Sequence, residues 1–420
     1  MRGVSSLRLF RSGSFRALWV GQLVSIFGDR FTYLALLALV VERAADPANP
    51  ARELAWIPLV SFLPAILFSP WIGALVDGWN TRTTLLVSDA FRGVIVLLMI
   101  PAADAGGLPA AFGLVFLLYV VNAFFLPARS AILPDLVPED ALVGANSLAT
   151  LAGIIATILG SWLGGLWVER AGWRFGFALD GATYFASVIA LAFIRPRDVG
   201  GSPRVMAPRR TTGEAYRALL RDVAEGARVS LRSRPILGSM LAMAILWVAG
   251  GALHVAVPTV LRGHGSGVVS GVGGVIACAS AGMVAGTLLL AAWGRGGSRA
   301  WILGGSLAGA GLAVIAFATV HGRGAAAGAA FLAGLFVAFL LITTESAIQR
   351  ASLPETRARI FALRDFLARL GVVVSAASFG ALLQRDVLTP SAAVVLAGCL
   401  LIVGGAAGAL WRRGREGAAP

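Results

Sequence analysis

Apolar residues come along this chain in long, nearly unbroken runs separated by short polar gaps. Runs cover 17–42, 55–76, 83–101, 109–127, 144–168 and 175–194. After a polar stretch they resume at 235–260, 271–293, 300–320, 325–348, 365–384 and 392–411. A helix needs about 20 mostly apolar residues to cross the hydrocarbon of a bilayer. Barrel strands would be short and alternating, whereas these runs are long and continuous. Backbone polar groups in lipid must be paired within the segment, which makes the runs helices. The pattern predicts an all-α integral membrane protein with twelve transmembrane helices. Residues 1–16 are basic and Ser-rich, but the apolar run after them is too long for a signal h-region, so the first helix is expected to stay as an anchor.

Composition agrees. The chain is 58% hydrophobic and 13% charged, with a mean hydropathy of +0.82, against roughly 45–50% apolar and about a quarter charged in soluble domains. All 35 basic residues are Arg. Without Lys there is no P-loop and no Lys Schiff base. The net charge of +14 points to the membrane and not to nucleic acid. If the spans alternate from a cytoplasmic N-terminus, 25 Arg fall in cytoplasmic segments and 7 in external ones. That bias places both termini in the cytoplasm of a multi-pass protein of the cell inner membrane. Cys278 and Cys399 lie inside expected spans, and His254, His264 and His321 have no ligand spacing. No metal site, cofactor or enzymatic nucleophile–base pair is expected.

The polar stretch divides the chain into a six-helix bundle at 1–194, a cytoplasmic linker at 195–234 and a second six-helix bundle at 235–420. The linker begins rich in Pro, Gly and Arg. It ends in EAYRALLRDVAEGARVSLRSRP, whose periodicity predicts an amphipathic helix lying at the cytoplasmic interface. The halves repeat. Ser130-Ala131-Ile132 matches Ser346-Ala347-Ile348, and Pro138-Glu139 matches Pro354-Glu355, both at an offset of 216. Two pseudo-symmetric halves suit a transporter that rocks around a midplane site.

The loop GALVDGWNTRTTLL, Gly73 to Leu86, resembles the signature loop of the major facilitator superfamily. Gly73, Leu75, Asp77 and Arg82 fit; Gly78 stands where a basic residue is usual and Asn80 where Gly is usual. The matching loop WGRGGSR in the second half has no Asp. FRALWVGQLVSIFGDRF, LPARSAILPDLVPEDALVGANSL and DVAEGARVSLRSRPIL, in that order, resemble the branch that holds enterobactin exporters and macrolide-efflux permeases. GSWLGG, Gly160 to Gly165, resembles an antiporter motif with Ser161 in place of Pro. The resemblance implies the major facilitator fold. It also implies secondary active efflux of amphipathic small molecules, such as drugs or siderophores, coupled to proton entry. The alternative is translocation of lipid or lysophospholipid, which related permeases handle. The partners implied are the lipid bilayer, a small-molecule substrate and protons, with the chain a monomer.

Ionisable and polar groups inside spans are the functional candidates. Gln22, Ser25, Asp29, Thr32 and Tyr33 form one polar stripe on the first helix, with Asp29 mid-span as the expected proton-coupling or substrate residue. Adjacent helix positions diverge, so Asp29 and Arg30 make a poor pair. Tyr119 and Asn122, three apart in the fourth span, are expected to line the cavity, as are Thr343 and Thr344 in the tenth. His254 lies mid-span between Gly250, Gly251 and Pro258. Asp89 and Arg92 are spaced to pair on one helix face. Asp180 is expected near the outer end of its span, reaching interfacial water. A conformational gate is expected at Gly73, Asp77 and Arg82, with Asp77 latching onto the start of the eleventh span near Arg364. Arg129 and Glu345, equivalent at the 216 offset, form its second element.

Overall fold

The computed structural model describes residues 6–46, 49–76, 79–199, 212–263, 267–292, 299–320 and 322–416. Secondary structure among them is helical throughout. The first part holds α1 (Gly13–Arg43), α2 (Ala51–Val76), α3 (Thr81–Leu136) and α4 (Leu142–Ala192). Then come α5 (Thr212–Arg232), α6 (Arg234–Gly263), α7 (Val268–Ala292), α8 (Arg299–Thr319), α9 (Arg323–Ala351), α10 (Pro354–Gln384) and α11 (Pro390–Glu416). Ten of these are long and apolar enough to cross a membrane; α5 is not.

Ten helices correspond to twelve apolar runs because α3 and α4 each contain two. Their 56 and 51 residues would make rods of about 84 and 76 Å, more than twice the hydrocarbon thickness. Each is interrupted once by a glycine outside helical geometry: Gly107 at φ 65°, ψ −154°, and Gly172 at φ 81°, ψ 170°. Only glycine enters that region without steric penalty. Both breaks fall in the polar gaps between expected spans.

Contacts group Met1–Arg43 with Val60–Tyr216, and Ala44–Leu59 with Arg217–Pro420. The division falls inside the polar linker, and the first turns of α2 belong to the second unit.

In the first unit, α1 packs along both halves of α4. Glycines let the helices approach. A Cβ at Gly160 would sit 2.7 Å from the Phe27 carbonyl oxygen, one at Gly176 2.7 Å from the Ala35 methyl, and one at Gly21 3.1 Å from the Ser187 hydroxyl. This close packing turns the polar stripe of α1 against α4.

The two ends of this unit are built differently. At one end Phe15, Leu18, Leu85, Phe125, Ile132 and Leu191 form a buried apolar cluster. Beside it Asn80 caps α3, accepting from the Thr83 N–H at 3.0 Å. Arg82 donates to the Ala192 carbonyl at 2.8 Å, satisfying an orphan acceptor in the last turn of α4. At the other end Asp104, beside the α3 break, accepts from Arg43 at 2.9 Å and from Arg174 at 2.5 Å. Both guanidiniums flank the Trp173 ring, at 5.3 and 4.2 Å. Hydrogen bonding from Arg174, joined by Arg43, holds the Asp104 carboxyl below the usual carboxylate range.

In the second unit α7 pairs with α9, α8 with α11 and α6 with α10. The linker helix α5 touches the protein along part of its length, while Leu220 and Leu231 stay exposed. It docks on α10 through Arg359, which reaches Asp222 at 2.9 Å and Glu225 at 2.6 Å. Val223 and Ala227 pack on a cluster of Ile236, Met240, Ile348, Ile360 and Leu363.

Candidate functional site

A polar network lies inside the first unit where α1, α3 and α4 meet. Its centre is Arg92 on α3, whose side chain is 3% exposed. One arm of the guanidinium pairs with Asp89 one turn away. The other donates to the Asn122 side-chain oxygen at 3.1 Å. Its carbon stands 4.0 Å from the centre of the Phe125 ring and 4.6 Å from that of Tyr184, so aromatic faces replace much of the lost hydration. Asp89 is fully buried and accepts a second hydrogen bond, from Ser187 at 2.6 Å. A buried ion pair survives only when its remaining lone pairs are satisfied, and Ser187 does this for Asp89.

Two further carboxylates stand close by. Asp29, half-buried on α1, accepts from the Tyr184 hydroxyl at 2.5 Å. Asp180 on α4 is 0% exposed. Its Oδ1 accepts from Thr183 at 3.0 Å, while its Oδ2 has no hydrogen-bond partner among the described residues. Asp29 and Arg92 lie within electrostatic reach of each other and of both Asp89 and Asp180. The expectation that Asp180 reaches interfacial water is overturned. It sits eight residues past the Gly172 break, about 12 Å along the helix, under the approach of Gly28. A Cβ at Gly28 would collide with the Thr183 hydroxyl and with the Asp180 carboxylate.

The other sequence candidates are distributed as follows. Gln22, Ser25 and Thr32 are buried and Tyr33 half-buried. Tyr119 hydrogen-bonds Ser61. Gln22 also lines a cavity of about 430 Å³ with Phe15, Trp19, Arg129, Pro134 and Asn146, so a residue assigned to substrate and one assigned to the gate share one recess. His254 lies in the second unit, hydrogen-bonded to the Leu54 backbone in the first turns of α2. Thr343 and Thr344 are buried there too. Glu345 is exposed on α9, and Arg364 pairs with its neighbour Asp365 at 2.8 Å. Asp77 and the side-chain surroundings of Gly73 lie outside the described residues.

Sequence reasoning missed Thr183, Tyr184 and Ser187. The signal was present, because they follow Asp180 at spacings of three, four and seven, which put them on its helix face.

Apolar helices enclosing a charged network, with breaks spaced for repeated crossings, define a polytopic membrane transporter. The chain belongs to the Major Facilitator Superfamily, whose family model matches residues 18–320. Among its relatives is BacE of Bacillus subtilis, named for bacilysin export, 26% identical over 92% of this chain and 91% of that protein. Macrolide efflux protein A of Streptococcus pyogenes is 22% identical over 86% of this chain and 88% of its own. Lysophospholipid transporter LplT of Yersinia enterocolitica is 29% identical over 61% and 63%. In fold, the chain resembles an inward-facing bacterial homologue of the human lysosomal transporter Spinster, at a TM-score of 0.71 and 16% identity, covering 96% of this chain and 97% of that one.

Proposed function

We propose that this chain is a secondary active exporter of amphipathic small molecules, driven by proton entry. It crosses the cytoplasmic membrane twelve times, works as a monomer and keeps both termini in the cytoplasm. The observation that carries the coupling is the half-buried Asp29, held by Tyr184 at 2.5 Å in a network rich in carboxylates. Ionisable groups at membrane depth are costly and mark proton or ion pathways. Asp29 touches both the buried network and the partly exposed face of α1, so it is suited to exchange protons with a water-filled cavity. The export direction is supported by relatives named for bacilysin and macrolide efflux. A second reading, translocation of lysophospholipid, is favoured by the similarity to LplT.

Purified protein in proteoliposomes tests the proposal. An imposed pH gradient should drive accumulation of an amphipathic cationic dye or a macrolide, and collapse of the gradient should stop it. Asp29→Asn should lower gradient-driven flux by about tenfold or more while substrate binding persists. Unchanged proton-driven flux in that variant would remove Asp29 from the coupling role. Gradient-dependent movement of a fluorescent lysophospholipid, with none of dye or macrolide, would favour the second reading.

A further inference from the structure

Asp180 is not needed for the coupling role given to Asp29, and its surroundings are unusual. Every other buried acid in the network has an answer to its charge. Asp89 has Arg92 and Ser187, and Asp29 has Tyr184 and partial exposure. Asp180 has neither solvent nor a cation of its own. The groups facing it are Asp29 and Thr32 from α1, Arg92 and Tyr119 from α3, and Thr183 and Tyr184 from α4. Arg92 is already engaged by Asp89 and Asn122. Arg30, the next cation along α1, makes no ion pair among the described residues and has its Cβ and Cγ against Gly160. The charge that bears most on Asp180 is the carboxylate of Asp29, which repels a second anion. Moving an unpaired carboxylate out of water is costly even after the protein relaxes, and such a group neutralises itself by taking up a proton.

We propose that Asp180 is a second, buried proton-binding site of this transporter, resting on the coupling role of Asp29. In the resting state its carboxyl group is protonated, which removes the negative charge from a side chain whose Oδ2 has no hydrogen-bond partner among the described residues and whose Oδ1 shares the single Thr183 hydroxyl hydrogen with the Asp180 backbone carbonyl, at 3.0 and 2.8 Å. During the cycle the O–H bond at Asp180 breaks and an O–H bond forms on Asp29. One negative charge moves in return from Asp29 to Asp180. Thr183 and Thr32 then stand beside the new carboxylate, and Asp29 releases the proton to water. The buried site stores a proton that the half-exposed site exchanges.

Infrared spectroscopy of the full chain in lipid nanodiscs at neutral pH reads the stored proton directly, without any flux. A carbonyl band of a protonated carboxylic acid is expected. It should be lost in Asp180→Asn and retained in Asp29→Asn. Thr183→Val provides a second reading should Asp180→Asn fold poorly: loss of the donated hydrogen bond should move the band to higher frequency. Absence of the band from the wild-type protein, its survival in Asp180→Asn, or an unmoved band in Thr183→Val would overturn the site. Proteoliposome flux then tests its role. Asp180→Asn should bind substrate within about threefold of wild type and lose gradient-driven export by about tenfold or more. Wild-type export by a variant that has lost the band would overturn the role in export. Failure of Asp29 as the coupling residue would show separately, as Asp29→Asn flux equal to wild type with the band still present.

Discussion

At the scale of single residues, Arg92 organises the first unit. Its guanidinium meets Asp89, Asn122 and two aromatic rings with almost no exposure. Removing one partner of such a pair leaves an uncompensated buried charge and costs about 3–5 kcal/mol. Arg92→Gln and Asp89→Asn alone are each expected to lower thermal stability in detergent by that order. The double variant leaves two neutral amides and should lose much less than the sum of the singles. Additive losses would show that the two side chains do not act as a pair. The pairing was legible in the sequence because a spacing of three fixes it within one helix. The burial of Asp180 was not. A sequence gives the depth of a residue along its own helix, but here the covering surface is Gly28 of a helix some 150 residues earlier in the chain. The partner of His254, the backbone of Leu54 some 200 residues earlier in the chain, was equally hidden from the sequence.

At the scale of elements, packing of α1 on α4 brings the network together, and it depends on atoms that are missing. Gly160 faces a backbone carbonyl at 2.7 Å and the Arg30 side chain at 3.0 Å from its would-be Cβ. A carbonyl cannot rotate aside as a side-chain tip can, so an added methyl must push the helices apart. Gly160→Ala is expected to destabilise by about 1–3 kcal/mol, visible as a lowered Tm, and to weaken the Tyr184–Asp29 contact across the same interface. A Tm equal to wild type would mean that the helices can slide apart at no cost. The glycine spacing on α4 announced a close approach in the sequence, and the run lengths announced the spans. The sequence pattern did not place α5. An amphipathic helix offers the same apolar face to a bilayer and to a protein, and its contact with the protein runs through Arg359, more than a hundred residues downstream, which holds Asp222 and Glu225.

At the scale of the whole molecule, the proposed orientation rests on where the arginines sit. With 25 in segments assigned to one side and 7 to the other, the opposite insertion would carry most of the cationic charge across the membrane, against the rule that cytoplasmic loops retain it. The proposed topology needs the breaks at Gly107 and Gly172, because each separates two apolar runs within one long helix. Asp140, just before α4, and Arg170, at the far end of the first half of α4, are both exposed. The proposed topology puts them on opposite sides. In a chain whose two cysteines, Cys278 and Cys399, are replaced by Ser, Asp140→Cys should react with a membrane-impermeant maleimide in inside-out vesicles alone. Arg170→Cys should react in right-side-out vesicles alone. The reversed pattern would invert the orientation and move both termini outside. Labelling of both positions from one side would mean that the segment before Gly172 does not cross, which would leave the first unit with an odd number of spans and break the repeat at the 216 offset.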